Sequence, residues 1–520
     1  MDSTKDCSKK ATSATGAELS KADDYIDNGV IQDLGYQQSY RRVLKTIASV
    51  CLVIALTTPL SAILVSAFYQ VSYGGYFGLT WGWIIPSIVL FPQVLAISEL
   101  CSSMPVNGAM YWWTAALAPE SWSRCLGFIS GWINLFGLFT GVASFAYAVA
   151  SGLAYSILIA RPDWSCTNPM IMAMALGVVV FWVVSMMLRL ENVTLAYMIC
   201  AVVILCHVIL FLIALPVSHA VQGMPFPSAR VVFGSYQNYT DWEPAVAVPF
   251  TWFCAAWVNS IWMAPAFVVE ETHSPRTSAP KAMIGSYIST CVMGLFVTII
   301  SAFCIADMDS IAMDPSGYPL YQVLIDHWGQ QKSAAFLLFI APFSTFGGSG
   351  MLLTYGTQIA AFARDGGLPF AKHLTYVNQR LSLPINAVLV LAAGTSLILL
   401  ISLSTSAKEI IYSLTVLCGL INAAIPVGLR LFAGDRWVPG PWNYGRWSKP
   451  IHALALISQL YFIIMESFPL YKSWDINTFN YNWAVTVSII IISCLLYVTW
   501  GKKFPGIPLE ALHRSTAEDN

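Results

Sequence analysis

The sequence predicts an all-α polytopic membrane protein with twelve transmembrane helices. Of the 520 residues, 57% are hydrophobic and only 10% are charged, whereas soluble globular proteins carry about 25% charged residues. The apolar residues form blocks of about 20, which is the length that a helix needs to cross a bilayer. The alternation of apolar and polar residues that a membrane β-barrel requires is absent. A net charge of −1 gives no reason to expect a nucleic-acid partner.

Twelve apolar runs define the expected helices. Runs three and eight exceed about 25 residues, so we expect them to tilt or to extend past the bilayer. The runs cover residues 46–69, 79–100, 125–158, 169–189, 192–216, 247–269, 281–306, 333–361, 383–405, 410–431, 450–470 and 482–500. Together they form a transporter-sized domain over residues 41–505. The polar segment 1–40 lacks the apolar core of a signal peptide and is expected to be a disordered cytosolic tail, and residues 506–520 form a second tail.

The distribution of Lys and Arg predicts the orientation of the chain. Basic residues concentrate in the loops on the side of the N-terminus, which the positive-inside rule assigns to the cytosol. The even number of spans returns the C-terminus to the same side. The long loop 217–246 is then external, and its sequon at Asn238 is a predicted glycosylation site. The basic residues on the external side are only Arg161, Arg230, Lys332, Lys408 and Lys472.

The sequence contains no motif of an enzyme or a metal site. Most of the 12 cysteines lie inside apolar runs, where they act as small buried hydrophobic residues. No Cys or His spacing typical of a metal site occurs, and no phosphate-binding loop or nucleophile–base spacing is present. We therefore expect no metal, no cofactor and no catalytic residue.

Four spans contain a proline together with glycine, hydroxyl or amide residues in their middles. A mid-helix proline removes a backbone hydrogen bond and clashes with the preceding turn. Single kinks are common in membrane helices, but spans one and six are five apart, as are corresponding helices of two five-helix halves. Such paired broken helices indicate the midplane substrate site of a transporter. The residues are Thr57, Thr58, Pro59 and Ser61 in span one, Trp257, Asn259, Ser260, Trp262 and Pro265 in span six, Pro342, Ser344 and Thr345 in span eight, and Asn422 and Pro426 in span ten.

Five stretches in order along the chain resemble motifs of the amino acid–polyamine–organocation superfamily. They are LAISELCSSMPVNGAMYWWTAALAP (95–119), WMAPAFVVEETHSP (262–275), AFARDGGLPF (361–370), PGPWNYGRWSKPI (439–451) and FPLYKSWDINTFNYNWAV (468–485). The last two are similar to the fungal amino acid/choline branch, which includes permeases for γ-aminobutyrate and choline. The resemblance covers roughly residues 35–508.

The resemblance implies an inverted pair of five-helix repeats, about 46–216 and 247–431, followed by two extra helices at about 450–500. It also implies that substrate binds near the breaks of spans one and six. Residues 260–263 are bulkier than the usual family pattern, so the identity of the substrate stays open. The positions that match the two breaks are Thr58, Pro59, Leu60, Ser61, Ala62, Trp257, Val258, Asn259 and Ser260.

Ionisable and polar residues within the spans or at their ends are candidates for coupling or gating. His207 lies in mid-span, where an imidazole can change its charge near neutral pH. The alternatives are a hydrogen bond within the bundle for His207 and structural pairs with loop Arg or Lys residues for the acids, including Glu271. The Arg-Asp-Gly-Gly-Leu-Pro turn after span eight is interpreted as a structural and gating element. The candidates are Glu99, His207, Glu270, Ser344, Thr345, Arg364 and Asp365.

The expected function is secondary active transport of a small amine or zwitterion by alternating access. The resemblance favours γ-aminobutyrate, choline or a neutral amino acid as substrate, and it alone implies proton coupling. A carrier of a cationic secondary metabolite, such as an alkaloid from a biosynthetic gene cluster, is the alternative. The short tails disfavour a non-transporting nutrient sensor. The expected location is the plasma membrane or an organellar membrane, with lipid and substrate as partners and the oligomeric state open.

Overall fold

The structure is a computed structural model, which describes residues 34–508 apart from 38, 189, 315–316, 404–406 and 476–478, together with Gly29 and Gln32. Within this part, twelve helices are long and apolar enough to cross a membrane, so the predicted number and order of spans are confirmed. They are α1 (Thr46–Ser66), α2 (Phe68–Ser103), α3 (Glu120–Ala160), α4 (Asn168–Ser185), α5 (Glu191–Val221), α6 (Pro244–Phe267), α7 (Pro275–Phe303), α8 (Pro319–Arg364), α9 (Ile385–Leu403), α10 (Ile410–Leu431), α11 (Gly445–Met465) and α12 (Asn482–Thr499).

The degree of burial distinguishes central from peripheral helices. Most of α1 and α6 is buried inside the protein, whereas α4, α11 and α12 present most of their surface outward. Since lipid tails are as apolar as the core, the outward residues of the peripheral helices stay hydrophobic. Helix α3 packs against α8, α10 and α4, and α1 packs against α5, α7 and α8. These contacts place the two predicted broken helices in the middle of the bundle.

Two of the four predicted interruptions are present. Helix α1 breaks at Thr58, and α6 changes to a 3₁₀ turn over Asn259–Met263. The prediction was wrong for spans eight and ten, because α8 continues as a helix through Pro342 and α10 continues through Pro426. The non-helical residue of α8 is Gly329, which precedes the predicted run 333–361. A proline does not by itself break a membrane helix when neighbouring groups replace the lost hydrogen bond.

Helix α2 begins at Phe68, so a single residue separates it from the end of α1 at Ser66. The predicted start was residue 79. The added turns are rich in Tyr and Gly and therefore did not stand out as an apolar run. They are held by tyrosine hydroxyls, since Tyr73 donates to Leu470 O and Tyr76 donates to Ile305 O, both at 2.8 Å. Gly75 has a φ of 56°, which interrupts the regular helix in this segment.

Most of the two predicted tails lies outside the described residues. In the described part of segment 1–40, Tyr36 and Tyr40 are buried. The predicted domain and repeat boundaries stay predictions. At the sequon, the half-buried Asn238 donates its side-chain amide to Trp242 O at 2.7 Å and accepts from the Thr240 hydroxyl at 2.7 Å, and its glycosylation also stays a prediction. Below, the face of the protein that carries residues 36–45 is called the N-terminal face.

Candidate functional site

The α1 break lies at Thr58, between the half-helices Thr46–Thr57 and Pro59–Ser66. Thr58 has φ 40° and ψ 65°, a left-handed conformation that residues other than Gly seldom adopt. Its amide donates to Ile54 O at 3.0 Å and closes the first half-helix. Pro59 opens the second half-helix, where its missing N–H would have had no intrahelical partner. The carbonyl end of one half-helix and the amide end of the other therefore meet at Thr58.

The α6 break follows the helical segment Phe253–Val258 and consists of the 3₁₀ turn Asn259–Met263. Pro265 lies two residues after the turn and lacks the N–H that would extend the α-helical pattern. The hydroxyl of Thr290 on α7 donates to Asn259 Oδ1 at 2.7 Å. This contact orients the amide of Asn259, whose Nδ2 is buried and has no hydrogen-bond partner among the described residues. The break therefore offers a fixed donor.

A cavity lies at the α1 break and is called the first cavity. Four predicted binding residues and one gating candidate line it, and α3, α4 and α8 supply most of the rest of its wall. The predicted residues are Thr58, Ser61, Ala62, Trp257 and Ser344. The additional residues include Phe145, Ser156, Trp182 and Tyr321.

Aromatic rings surround Trp257 at the edge of the first cavity. Trp257 is buried, and its ring stacks on Phe145 with centroids 4.9 Å apart and planes at 24°. The ring of Tyr412 on α10 meets it edge-on at 5.0 Å and 79°. The indole Nε1 has no hydrogen-bond partner among the described residues. The arrangement provides π-faces that attract an ammonium group.

A second cavity adjoins the α6 break and is lined by Ala256 and by residues of the 3₁₀ turn. Its wall combines α2, α3, α6, α7, α8 and α10, and it is rich in hydroxyl and amide groups. The residues that matter here are Asn259, Ser260, Trp262, Asn134, Tyr355 and Asn422. The sequence-based site is thus divided between two cavities, and Pro59, Leu60 and Val258 line neither of them.

A chain of side-chain hydrogen bonds crosses the second cavity from α10 to α8. Asn422 accepts from the Ser130 hydroxyl at 2.9 Å and donates to Asn134 Oδ1 at 2.8 Å. Asn134 then donates to Gln358 Oε1 at 2.7 Å. Sequence reasoning missed Asn134 and Gln358, although each is an amide in a charge-free stretch of a spanning helix, and such a residue is a signal of function.

The ends of α6 and α8 are tied together at the N-terminal face by an ion pair. Arg364 donates from Nη1 to Glu270 Oε2 and from Nη2 to Glu270 Oε1, each at 3.1 Å. Asn107, between α2 and α3, exchanges two hydrogen bonds with Glu270 through its backbone amide and its side-chain oxygen. Its side chain also donates to Glu271 at 3.3 Å. We call Asn107, Glu270, Glu271, Arg364 and Asp365 the N-face cluster.

Segment 36–44 covers the N-face cluster. The hydroxyls of Tyr36 and Tyr111 donate to Asp365 Oδ2 at 2.9 and 2.8 Å. The guanidinium of Arg364 lies 3.9 Å from the centroid of the Tyr36 ring. The amides of Val43 and Leu44 donate to the carbonyl of Glu271. Gating candidates from α6 and α8 are thus joined to the segment that precedes α1.

Burial shifts the titration of two carboxyl groups in the cluster. Burial raises the pKa of Asp365 to about 6, although Arg364 and the hydroxyl of Tyr111 act in the opposite direction. Burial and, second, the adjacent charge of Glu270 raise the pKa of Glu271 to about 8. Each of these groups can therefore change its charge near neutral pH.

The remaining coupling candidates lie away from both cavities. Glu99 is buried and accepts from Ser448 Oγ at 2.8 Å and from the Tyr444 amide at 3.2 Å, so it holds the loop before α11 onto α2. His207 stacks on the ring of Phe336 with centroids 4.0 Å apart. The carbonyl of Thr345 accepts from the indole of Trp182. These contacts bind one helix to another, and the described residues contain no group of three or more His, Cys, Asp or Glu that could hold a metal ion.

Comparisons with known proteins find a family of permeases. Residues 44–494 match the family model described as Amino acid permease. The GABA-specific permease of Saccharomyces cerevisiae is 26% identical over 491 residues, which cover 92% of this chain and 85% of that protein. Amino-acid permease 2 of Neurospora crassa is 24% identical over 497 residues, which cover 94% of this chain and 90% of that protein. One similar solved structure is that of the Eremococcus coleocola manganese transporter in complex with an aromatic bis-isothiourea substituted compound. The match covers 92% of this chain and 98% of the transporter chain, with 13% sequence identity and a TM-score of 0.46.

The relatives confirm the predicted membership of the amino acid–polyamine–organocation superfamily. They are named permeases, which are transporters and not enzymes, as the sequence predicted. An integral membrane protein with twelve spans agrees with that assignment. The family match over residues 44–494 shows that this chain belongs to the amino acid permease family of membrane transporters.

Proposed function

We propose that this protein is a proton-coupled carrier for a small monoamine or zwitterion, with γ-aminobutyrate and neutral amino acids as the first candidates. The observation that carries the proposal is the first cavity, where Thr58 and Ser61 of the α1 break and Trp257 next to the α6 break line one space. Paired broken helices at one cavity are the arrangement expected of a transporter site. The similarity to a GABA-specific permease supports the substrate class.

The charge of the cavity walls limits the substrate. Among the described residues, those that line the first and second cavities include no Asp, Glu, Lys or Arg. A carboxylate must then be stabilised by the amide end of a half-helix, and an ammonium by carbonyl ends and aromatic faces. A second net charge would remain without a partner in a medium of low dielectric constant. We therefore expect glutamate and spermidine to be rejected.

Alternating access requires one face to open while the other closes. Phe267 lines the second cavity, and Glu270 of the N-face cluster follows three residues later, in the 3₁₀ turn Val269–Glu271 after the end of α6. Separation of Arg364 from Glu270 would free the end of α6 from the end of α8. We propose that the N-face cluster is the closing contact on the side predicted to be cytosolic.

The proton-coupling part of the proposal rests on the N-face cluster. Glu271, whose pKa is raised to about 8, is protonated at neutral pH while Glu270 pairs with Arg364. A rearrangement that exposes Glu271 to water would lower its pKa toward the usual range and release the proton. Proton release would thus be linked to opening of the same face that releases the substrate.

A cationic amine without a carboxylate is the second candidate. The aromatic faces of Phe145, Trp257 and Tyr412 favour it, because a ring face near an ammonium contributes ~0.5–2 kcal/mol. This candidate includes choline and the secondary-metabolite amines predicted as the alternative. The two candidates differ in whether a carboxylate is required.

An uptake panel in permease-deficient yeast tests the proposal. Radiolabelled γ-aminobutyrate, a neutral amino acid, choline, glutamate and spermidine are compared with and without a protonophore. Saturable uptake of a monoamine that the protonophore abolishes supports the proposal. Uptake of choline alone would favour the second candidate, whereas saturable uptake of glutamate or spermidine with no response to monoamines would overturn the substrate class. Uptake that depends on Na⁺ and ignores the protonophore would overturn proton coupling.

A further inference from the structure

Two buried histidines face each other on the side of the protein opposite the N-terminal face. His219 lies at the end of α5 and His327 lies in the first part of α8. Nδ1 of His219 is 2.8 Å from Nε2 of His327, and the rings are nearly parallel, with centroids 5.1 Å apart and planes at 20°. The two residues are 0% and 5% exposed. Neither takes part in the cavities or in the N-face cluster.

The remaining nitrogen of each ring points to a backbone carbonyl. His327 Nδ1 is 2.6 Å from Val323 O, and His219 Nε2 is 3.3 Å from Pro225 O. A carbonyl oxygen only accepts, so each of these contacts needs a proton on the ring nitrogen. The contact between the rings needs one proton on either of its two nitrogens. The three contacts together therefore need three protons.

Two neutral imidazoles carry one ring proton each. A neutral pair therefore leaves one of the three contacts as two lone pairs facing each other. A pair with one extra proton satisfies all three contacts and carries a single positive charge. We propose that His219 and His327 form a proton-binding site that takes up one proton as a unit.

The surroundings of the pair decide how many protons it can hold. The carboxylate of Asp326, next to His327 in the sequence, accepts from the side-chain amide of Gln322 at 2.7 Å. From the loop after α5, the centroid of the Phe226 ring lies 4.4 Å from that of the His219 ring, and Phe226 brings no charge. Directly after the end of α5, Gln222 donates to His327 O. Burial opposes the positive charge, and two imidazolium rings in direct contact repel, so a second extra proton is excluded.

The pair connects the end of α5 to a segment that reaches the first cavity. His327 lies two residues before Gly329, whose φ of 74° separates residues 319–328 from the rest of α8. The same segment carries Tyr321, which lines the first cavity. A neutral pair satisfies at most two of the three contacts, so only the protonated pair keeps the hydrogen bond between the two rings together with both carbonyl contacts. Because the bond between the rings joins α5 to residues 319–328, proton binding secures the contact between α5 and the segment that forms part of the cavity wall.

Nitrogen NMR of isotope-labelled histidine in the full-length protein, reconstituted in nanodiscs, tests this site. The chain contains 7 histidines, so His219→Gln and His327→Gln assign the signals of the pair. Between about pH 8 and about pH 4, the range around the ordinary imidazole pKa, we expect the native pair to gain one proton. Three of its four ring nitrogens should then be protonated. His207→Gln is the matched control, because His207 is also buried but contacts only a carbonyl and aromatic rings.

Three results would overturn the proposal. They are a pair that keeps two protons down to about pH 4, a pair that gains two protons, and two rings that titrate independently. If His219→Gln or His327→Gln fails to fold, the proton count in the native protein and in His207→Gln still decides. A second measurement separates proton binding from a purely structural contact. Amide hydrogen exchange of segment 319–328, corrected for its intrinsic pH dependence, should slow on protonation in the native protein and not in His219→Gln. Neither readout needs transport, so the result is independent of the proposed function.

Discussion

Replacement of Arg364 by Gln should destabilise the protein more than the loss of any exposed ion pair. Arg364 holds both carboxylate oxygens of Glu270 at 3.1 Å, and the Glu270 side chain is only 1% exposed. The change removes the cation and leaves a buried carboxylate without its partner. Breaking a buried pair in this way costs ~3–5 kcal/mol, whereas the removal of both charges costs much less. The double variant Glu270→Gln/Arg364→Gln should therefore be more stable than Arg364→Gln alone.

Thermal unfolding in nanodiscs at neutral pH measures this order. Arg41→Gln is the matched control, because Arg41 pairs with Glu191 at 3.5 Å while the two side chains are 65% and 50% exposed, and such pairs contribute only ~0–1 kcal/mol. We expect the apparent melting temperature to fall most for Arg364→Gln, less for the double variant and least for Arg41→Gln. The single variant Glu270→Gln completes the set. If Arg364→Gln lowers the melting temperature no more than Arg41→Gln, or if the losses of Arg364→Gln and Glu270→Gln simply add in the double variant, the pair does not close the N-terminal face.

Three further predictions concern the cluster and the first cavity. The pKa of Glu271 is raised from 4.5 to about 8, so the stability from its neutral form is lost as the pH rises between these two values. Over that range the melting temperature of the native protein should fall more steeply than that of Glu271→Gln, and parallel pH curves would contradict the assignment. Trp257→Ala should weaken the apparent affinity for a transported amine about 2- to 30-fold, the equivalent of ~0.5–2 kcal/mol, while Trp257→Phe keeps most of that affinity. Equal affinities of Trp257→Ala and the native protein, at matched surface levels, would show that Trp257 does not contact the amine. Thr58→Gly should cost less stability than Thr57→Gly. Gly adopts the φ of 40° at position 58 without strain, whereas Gly at position 57, inside the preceding helix, costs ~1 kcal/mol. The reverse order of melting temperatures would show that the break lies elsewhere.

The twelve spans and the main breaks could be predicted because the bilayer imposes strong local constraints. A spanning helix needs about 20 apolar residues wherever it lies in the fold, and such runs stand out in a chain with 10% charged residues. Pro59, with Thr58 before it, marked the α1 break, and Pro265 marked the end of the 3₁₀ turn in α6. Pro426 gave the same local signal, but α10 continues through it. A proline shows where a helix can break, and packing decides whether it does.

The division of the site between two cavities could not be predicted from the sequence. Trp257 and Asn259 are two residues apart, yet they line different cavities, and Ala256 lines the second cavity together with Asn259. The orientation of each side chain depends on the exact residue at which the helix changes its pitch, and sequence patterns locate such boundaries only to within a few residues. Phe145 was also missed, because an aromatic residue in an apolar run gives no signal of its own.

Contacts between distant segments were equally invisible in the sequence. Tyr36 lies in a segment that was expected to be a polar tail, but its hydroxyl donates to Asp365, 329 residues away. Glu99 was a coupling candidate because it is an acid near the end of a span. Its contacts with Ser448 and Tyr444 depend on the path of the loop before α11, which no local pattern specifies.

The location of a bound amine tests the central claim most directly. The amine that the uptake panel identifies is added to the purified protein, and the structure of the complex is determined. The account predicts ligand density in the first cavity, between Thr58 and Trp257, with the ammonium within about 6 Å of the centroid of the Trp257 ring. Ligand bound in the second cavity beside Asn134 and Asn422, or outside both breaks, would contradict it.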